Sequence, residues 1–168
     1  SCSQPVQQLP RALYYLDGSD MAAQVWRLER DGVSRQLVSH EQNGVQDFSV
    51  SSVNGSLALV SNNSLTVMDA KGRNLYLVIE AQLGNSLESQ YRNTVANPLF
   101  SPDGRMLAYA LNGIHLYDLV TGSDAHVVVN PGKESNDALS YATGRYQPVA
   151  WSPDGNQLLI AMSYYEGY

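Results

Sequence analysis

The residues able to do chemistry are scattered along this chain. The three histidines, His40, His115 and His126, lack the short spacings of a metal motif, and no H-E-x-x-H occurs. A structural or surface role is expected for each. Gly132-Lys133 has neither the preceding glycine loop nor the following hydroxyl residue of a phosphate-binding loop, so it reads as a turn. Gly84-Asn85-Ser86-Leu87-Glu88 matches only half of a nucleophile elbow and falls in an expected loop. Asp103 and Asp154 invite a paired-carboxylate reading. Each, however, sits in a Ser-Pro-Asp-Gly turn, where Asp is favoured for its local hydrogen bonds. The expectation is a non-catalytic protein with no metal and no cofactor.

Cys2 is the single cysteine, so no internal disulfide can form. It precedes a polar stretch and resembles the lipidated N-terminus of a bacterial lipoprotein. A lipid there would hold the protein at a membrane surface through a flexible tether, residues 1–10. The alternative is a chance cysteine in a polar leader. No apolar run reaches the ~20 residues of a spanning helix. Net charge is −6 and no basic cluster occurs, which argues against a nucleic-acid partner.

The elements that carry these residues repeat. Residues 97–118 read as strand, tight turn, strand, short link, strand. Ser101, Pro102 and Gly104 suit the first, second and fourth corners of a type I turn. Asn112-Gly113 marks a second hairpin turn. The phrase returns at Ser152-Pro153-Asp154-Gly155, and a worn copy sits at Val53-Asn54-Gly55. The turn glycines Gly55, Gly104 and Gly155 are 49 and 51 residues apart. Gly32, Gly72 and Gly122, each just after a strand-ending Glu29, Asp69 or Asp118, are 40 and 50 residues apart. A period of roughly 40–50 residues with about four strands per unit is that of propeller blades.

The hairpins F-S-P-D-G-R-x-L-A-Y and W-S-P-D-G-N-Q-L-L-I resemble the TolB-like propeller repeat, a relative of the WD-repeat blade. Residues 65–78 are similar to that family's third-to-fourth-strand segment. The resemblance implies an all-β propeller and a role in binding protein partners at the cell envelope. It also admits a second role, as the gating propeller of a prolyl-oligopeptidase-like serine peptidase whose catalytic domain would lie elsewhere. Blades are expected at about 11–40, 46–80, 97–130 and 147–168, so about three and a half four-stranded blades in residues 11–168. Such a propeller fragment is expected to continue in a longer chain or to be completed by a partner. The second strands at 57–60, 106–110 and 158–160 are expected to be buried. Phe100 and Trp151, at equivalent positions, are expected to pack between blades.

Two connections are long, residues 81–97 and 130–147, and both run from a fourth strand to the next first strand. They carry Tyr91, Arg92, Tyr141, Arg145 and Tyr146, residue types enriched at binding hot spots. These five are the expected partner-binding residues, unless the loops are inert or pack on one another. The expected partner is a protein or a larger complex, in the periplasm or outside the cell. Any membrane contact is expected only through Cys2.

Overall fold

The computed structural model describes residues 8–19, 22–131 and 142–166. They form four antiparallel sheets in chain order. The first holds β1 (Leu13–Asp17), β2 (Gln24–Leu28) and β3 (Arg35–Leu37). The second holds β4 (Asp47–Val50), β5 (Leu57–Ser61), β6 (Ser64–Met68) and β7 (Asn74–Glu80). After a short helix, α1 (Leu87–Asn93), the third holds β8 (Ala96–Phe100), β9 (Met106–Ala110), β10 (Gly113–Asp118) and β11 (Asp124–Val129). The fourth is the hairpin of β12 (Ala142–Trp151) and β13 (Leu158–Glu166). Each strand pairs with its sequence neighbour, as in a propeller blade.

Burial explains why the second strands are apolar at every position. Ala58 and Val60 of β5 join Phe100, Leu107 and Tyr109 in a core between the second and third sheets. Leu57 and Leu59, on the opposite face of the same strand, join Val25, Val38 and Val45 between the first and second sheets. A strand covered on both faces loses the usual alternation of apolar and polar residues. β9 is alike: Leu107 through Ala110 are fully buried.

The third expected second strand departs from this. Residues 158–160 do form a strand, but they are not buried, and Leu159 is 63% exposed. The third sheet covers one face of this hairpin, and no further sheet among the described residues covers the other. Trp151 follows the expectation for its position: its indole Nε1 donates to the Leu99 carbonyl oxygen at 3.1 Å, tying the fourth sheet to the third. Phe100 is buried in the core between the second and third sheets.

The Ser-Pro-Asp-Gly turns close as their residue types dictate. Gly104 N donates to Ser101 O at 2.9 Å, and Met106 N donates to Ser101 Oγ at 2.9 Å. Ser101 Oγ donates to Asp103 Oδ1 at 2.6 Å. The same bonds recur at Ser152, Asp154 and Gly155. Gly104 and Gly155 have φ of 70° and 73°, a left-handed conformation that glycine adopts without a Cβ penalty. The worn copy keeps the logic with one more residue, Gly55 N donating to Ser51 O at 3.0 Å.

Both long connections are more structured than expected. Residues 81–97 contain α1, and β8 begins at Ala96, inside the expected connection. Ser86 caps the helix, its Oγ accepting from Ser89 N at 3.0 Å, with Glu88 in the first turn and Arg92 in the last. In the other connection, Ala142 through Gln147 belong to β12, because β13 runs on past Met162 and pairs with them. Arg145 and Tyr146 therefore lie in a strand, not in a loop. Tyr164, a residue type favoured in strands, extends that arm opposite Gly144.

Candidate interaction face

Strand alternation sorts the connections onto two faces. β4 and β8 run toward the turns at Gly55 and Gly104, so the opposite face receives the second-to-third turns and the fourth-to-first connections. α1 and the Asn62-Asn63 turn belong to that connection face.

The structure brings Tyr91 and Arg145 together. The Arg145 guanidinium lies 5.6 Å from the centre of the Tyr91 ring. Arg145 Nη2 donates to Thr94 O, at the end of α1, at 2.9 Å. The Tyr91 hydroxyl and Ser163 Oγ are 2.7 Å apart. The helix between the second and third sheets is thus tied to both strands of the fourth. Arg145 is only 8% exposed. Burial pushes its guanidinium below the ordinary arginine value, partly offset by Tyr91 and Asp47.

The other expected residues are placed separately. Arg92 Nε donates to Asn112 Oδ1 at 3.3 Å, and Asn112 N donates to Arg92 O at 2.8 Å, joining α1 to the β9–β10 turn. Tyr146 is half-buried, and its backbone N donates to Asn130 Oδ1 at 2.8 Å. Tyr141 and Cys2 lie outside the described residues.

Asn63 organises this face, and the sequence reading did not single it out. Its Nδ2 donates to Ala81 O at 2.9 Å and to Asn93 O at 3.0 Å, while its Oδ1 accepts from Val95 N at 2.7 Å. One amide therefore anchors both ends of the connection. Asn62 and Asn63 have φ of 49° and 57°, the geometry of a two-residue hairpin with both central residues left-handed. The Asn-Asn pair between two apolar strands was the available signal.

A groove of about 520 Å³ opens beside this turn, lined by Val60, Asn62, Glu80, Gln82, Leu83 and Val95 among others. A second, of about 380 Å³, opens on its other side, with His40, Glu41, Gln42, Asn62, Ser64 and Thr66 in its wall. Asn62 belongs to both.

His115 and His126 serve a different part of the fold. His115 stacks on His126 with centroids 4.3 Å apart and on Tyr109 at 5.0 Å, forming a row across β9, β10 and β11. Asp124 Oδ2 lies 2.9 Å from His115 Nδ1 and accepts from the Tyr109 hydroxyl at 2.7 Å. Burial and that carboxylate push the Tyr109 phenol well above its ordinary range.

The four sheets have solved counterparts. The crystal structure of the tricorn protease aligns with a TM-score of 0.55 at 12% identity, over 89% of this chain and 16% of that one. TolB from Acinetobacter baumannii aligns with a TM-score of 0.48 at 12% identity, over 90% of this chain and 38% of that one. This chain thus spans well under half the length of either. No protein-family model matches it, and no curated protein matches it by sequence. The fold is propeller-type, and among the described residues it is all-β apart from α1.

Proposed function

We propose that this chain is a non-catalytic protein-interaction propeller of the bacterial cell envelope, which meets its partner through the connection face. The observation that carries this reading is the anchoring of α1, by Asn63 on one sheet and by Arg145 and Ser163 on the next-but-one. A connection fixed at both sides holds its contact groups in place before binding, which lowers the ordering cost of association. A photo-crosslinking residue placed at Gln82, on the connection face, is expected to capture the partner in cells. The same residue at Val53, which is 61% exposed on the turn face, is expected to capture none. Capture from Val53 alone would overturn the assignment.

The envelope location rests on the resemblance of the repeats and on Cys2. Intact-mass analysis of the native N-terminal peptide is expected to show an added lipid on Cys2. An unmodified cysteine in the native product would remove the anchor.

A second reading is that these sheets are the propeller portion of a serine peptidase. The likeness to a stretch of the tricorn protease chain favours it. A hydrolase domain bearing Ser, Asp and His in the same reading frame would decide for this reading.

A further inference from the structure

We infer that the two grooves flanking the Asn62-Asn63 hairpin form one seat for an extended, basic peptide segment of the partner. This deepens the reading of the connection face as an interaction surface and rests on it. Each groove contributes one carboxylate, Glu41 on one side and Glu80 on the other. Neither carboxylate makes a hydrogen bond or ion pair among the described residues, and neither lining contains Lys or Arg. Net charge of −6 biases the approach of a cation further.

The polar groups around the hairpin divide into two sets. Gln46 and Asn63 are spent on the fold: Gln46 Oε1 accepts from Asn62 N at 3.0 Å, and Asn63 uses both its amide groups on the connection. The side-chain amides of Asn62 and Gln82 have no protein partner among the described residues, and each can both donate and accept. That pair of capacities matches the alternating N–H and C=O groups of an extended backbone. Leu83, 53% exposed, supplies the apolar surface, and Val60 and Val95 behind it are buried in the core. The recognised class is therefore a peptide with ammonium or guanidinium side chains spaced to reach both carboxylates, and an apolar side chain between them. The grooves contain no Phe, Tyr or Trp ring on which a sugar would stack and no Lys or Arg to hold a phosphate.

The test is fluorescence anisotropy with a short fluorescein-labelled peptide alternating lysine with leucine, at physiological salt. The peptide is expected to bind, and a version with glutamate for lysine is expected not to. Combined Glu41→Gln and Glu80→Gln should weaken binding about fivefold, the worth of two exposed ion pairs. Combined Asp103→Asn and Asp154→Asn removes the same charge from the turn face and should leave binding unchanged. Asparagine is tolerated there, since Asn54 fills that place in the worn turn and its Oδ1 accepts from Ser56 N at 3.0 Å. Equal binding of the glutamate peptide would overturn the inference, as would equal weakening by the two double variants. A chain that crosslinks from Gln82 yet ignores the basic peptide refutes this seat and leaves the face assignment standing. A chain that binds the peptide but crosslinks only from Val53 does the reverse.

Discussion

Asp47 Oδ2 accepts a 2.7 Å hydrogen bond from the backbone N of Asn97, 50 residues further on. The two residues hold equivalent places near the start of β4 and β8, the first strands of successive blades, so this bond sets one blade against the next. Asn97 has φ of 52°, left-handed and directly before Pro98, and the bond holds its N–H in that conformation. Asp47 Oδ1 accepts from its neighbour Phe48 N at 2.8 Å. Burial pushes the Asp47 carboxyl above the ordinary 3.8, with the two N–H donors and Arg145 working against it.

The sign of that shift fixes a pH dependence. A carboxyl whose folded pKa is raised binds its proton more tightly in the folded state. Its contribution to stability therefore grows as pH falls through the raised value toward 3.8. Asp47→Asn keeps an acceptor for Asn97 N and should lose this dependence, while its amide NH2 faces Phe48 N and gives up that second bond. Asp47→Ala leaves the Asn97 N–H unpaired and should cost about 1–3 kcal/mol. Urea unfolding across pH 3.5–7.5 separates the two outcomes.

The turn aspartates titrate the other way. Hydrogen bonds, from Ser101 first and then from Arg105 N, hold the Asp103 carboxyl below 3.8, and Ser152 and Asn156 do the same for Asp154. Their contribution is present above 3.8 and is lost as pH falls through the lower, folded values. Combined Asp103→Asn and Asp154→Asn should flatten the acid end of the stability profile by lowering its neutral end, where the ionised carboxylates contribute. Gly104→Ala should be costlier at every pH, by about 1–2 kcal/mol for a left-handed residue with a Cβ. That Cβ would also meet Val53 Cγ2 at 3.2 Å.

The fold was legible because its strongest constraints are local. Ser-Pro-Asp-Gly specifies its turn within four residues, and the register of the repeat follows from it. The candidate site was less legible because it depends on distant pairings. Nothing near Arg145 in sequence says that it will meet Tyr91, and the strand that carries it exists only because Met162 through Tyr164 pair with it. Helix α1 was missed although Ser86 is a favoured cap. Seven residues are marginal as a helix in isolation, and this one stands because Asn63 and Arg145 hold its end. Leu158 through Ile160 shared the pattern of two buried strands, but burial needs a second neighbour that the pattern does not encode.

That difference in neighbours predicts opposite results from one substitution. Leu107, fully buried in the core between the second and third sheets, should not tolerate Asp, and Leu107→Asp should abolish soluble expression. Leu159→Asp, at a position 63% exposed, should leave thermal stability nearly unchanged. It should also reduce self-association, because it breaks an exposed apolar edge. Expression yield, thermal melting and light scattering on the pair check this. Equal loss of both proteins would mean that the Leu159 side is covered.

The contact between Tyr91 and Arg145 makes a last prediction. Tyr91→Ala and Tyr146→Ala are the obvious probes of partner binding, but Tyr91 already spends its hydroxyl on Ser163 and its ring on Arg145. Loss of binding in Tyr91→Ala would therefore mix a lost contact with a loosened connection. A double-mutant cycle on Tyr91→Phe and Arg145→Lys resolves the fold's share. Tyr91→Phe removes one hydrogen bond and should cost about 0.5–1.5 kcal/mol. Arg145→Lys keeps a charge but loses the planar fork that reaches Thr94 O while lying over the ring, and should cost more. Tyr91→Leu in the same cycle removes the ring as well, and if ring and guanidinium act together its coupling to Arg145→Lys should be about 0.5–2 kcal/mol. Arg92→Ala, which among the described residues cuts the side-chain bond to Asn112, should add independently to either. A coupling near zero would mean that Tyr91, through Ser163, and Arg145, through Thr94 O, hold α1 independently of each other.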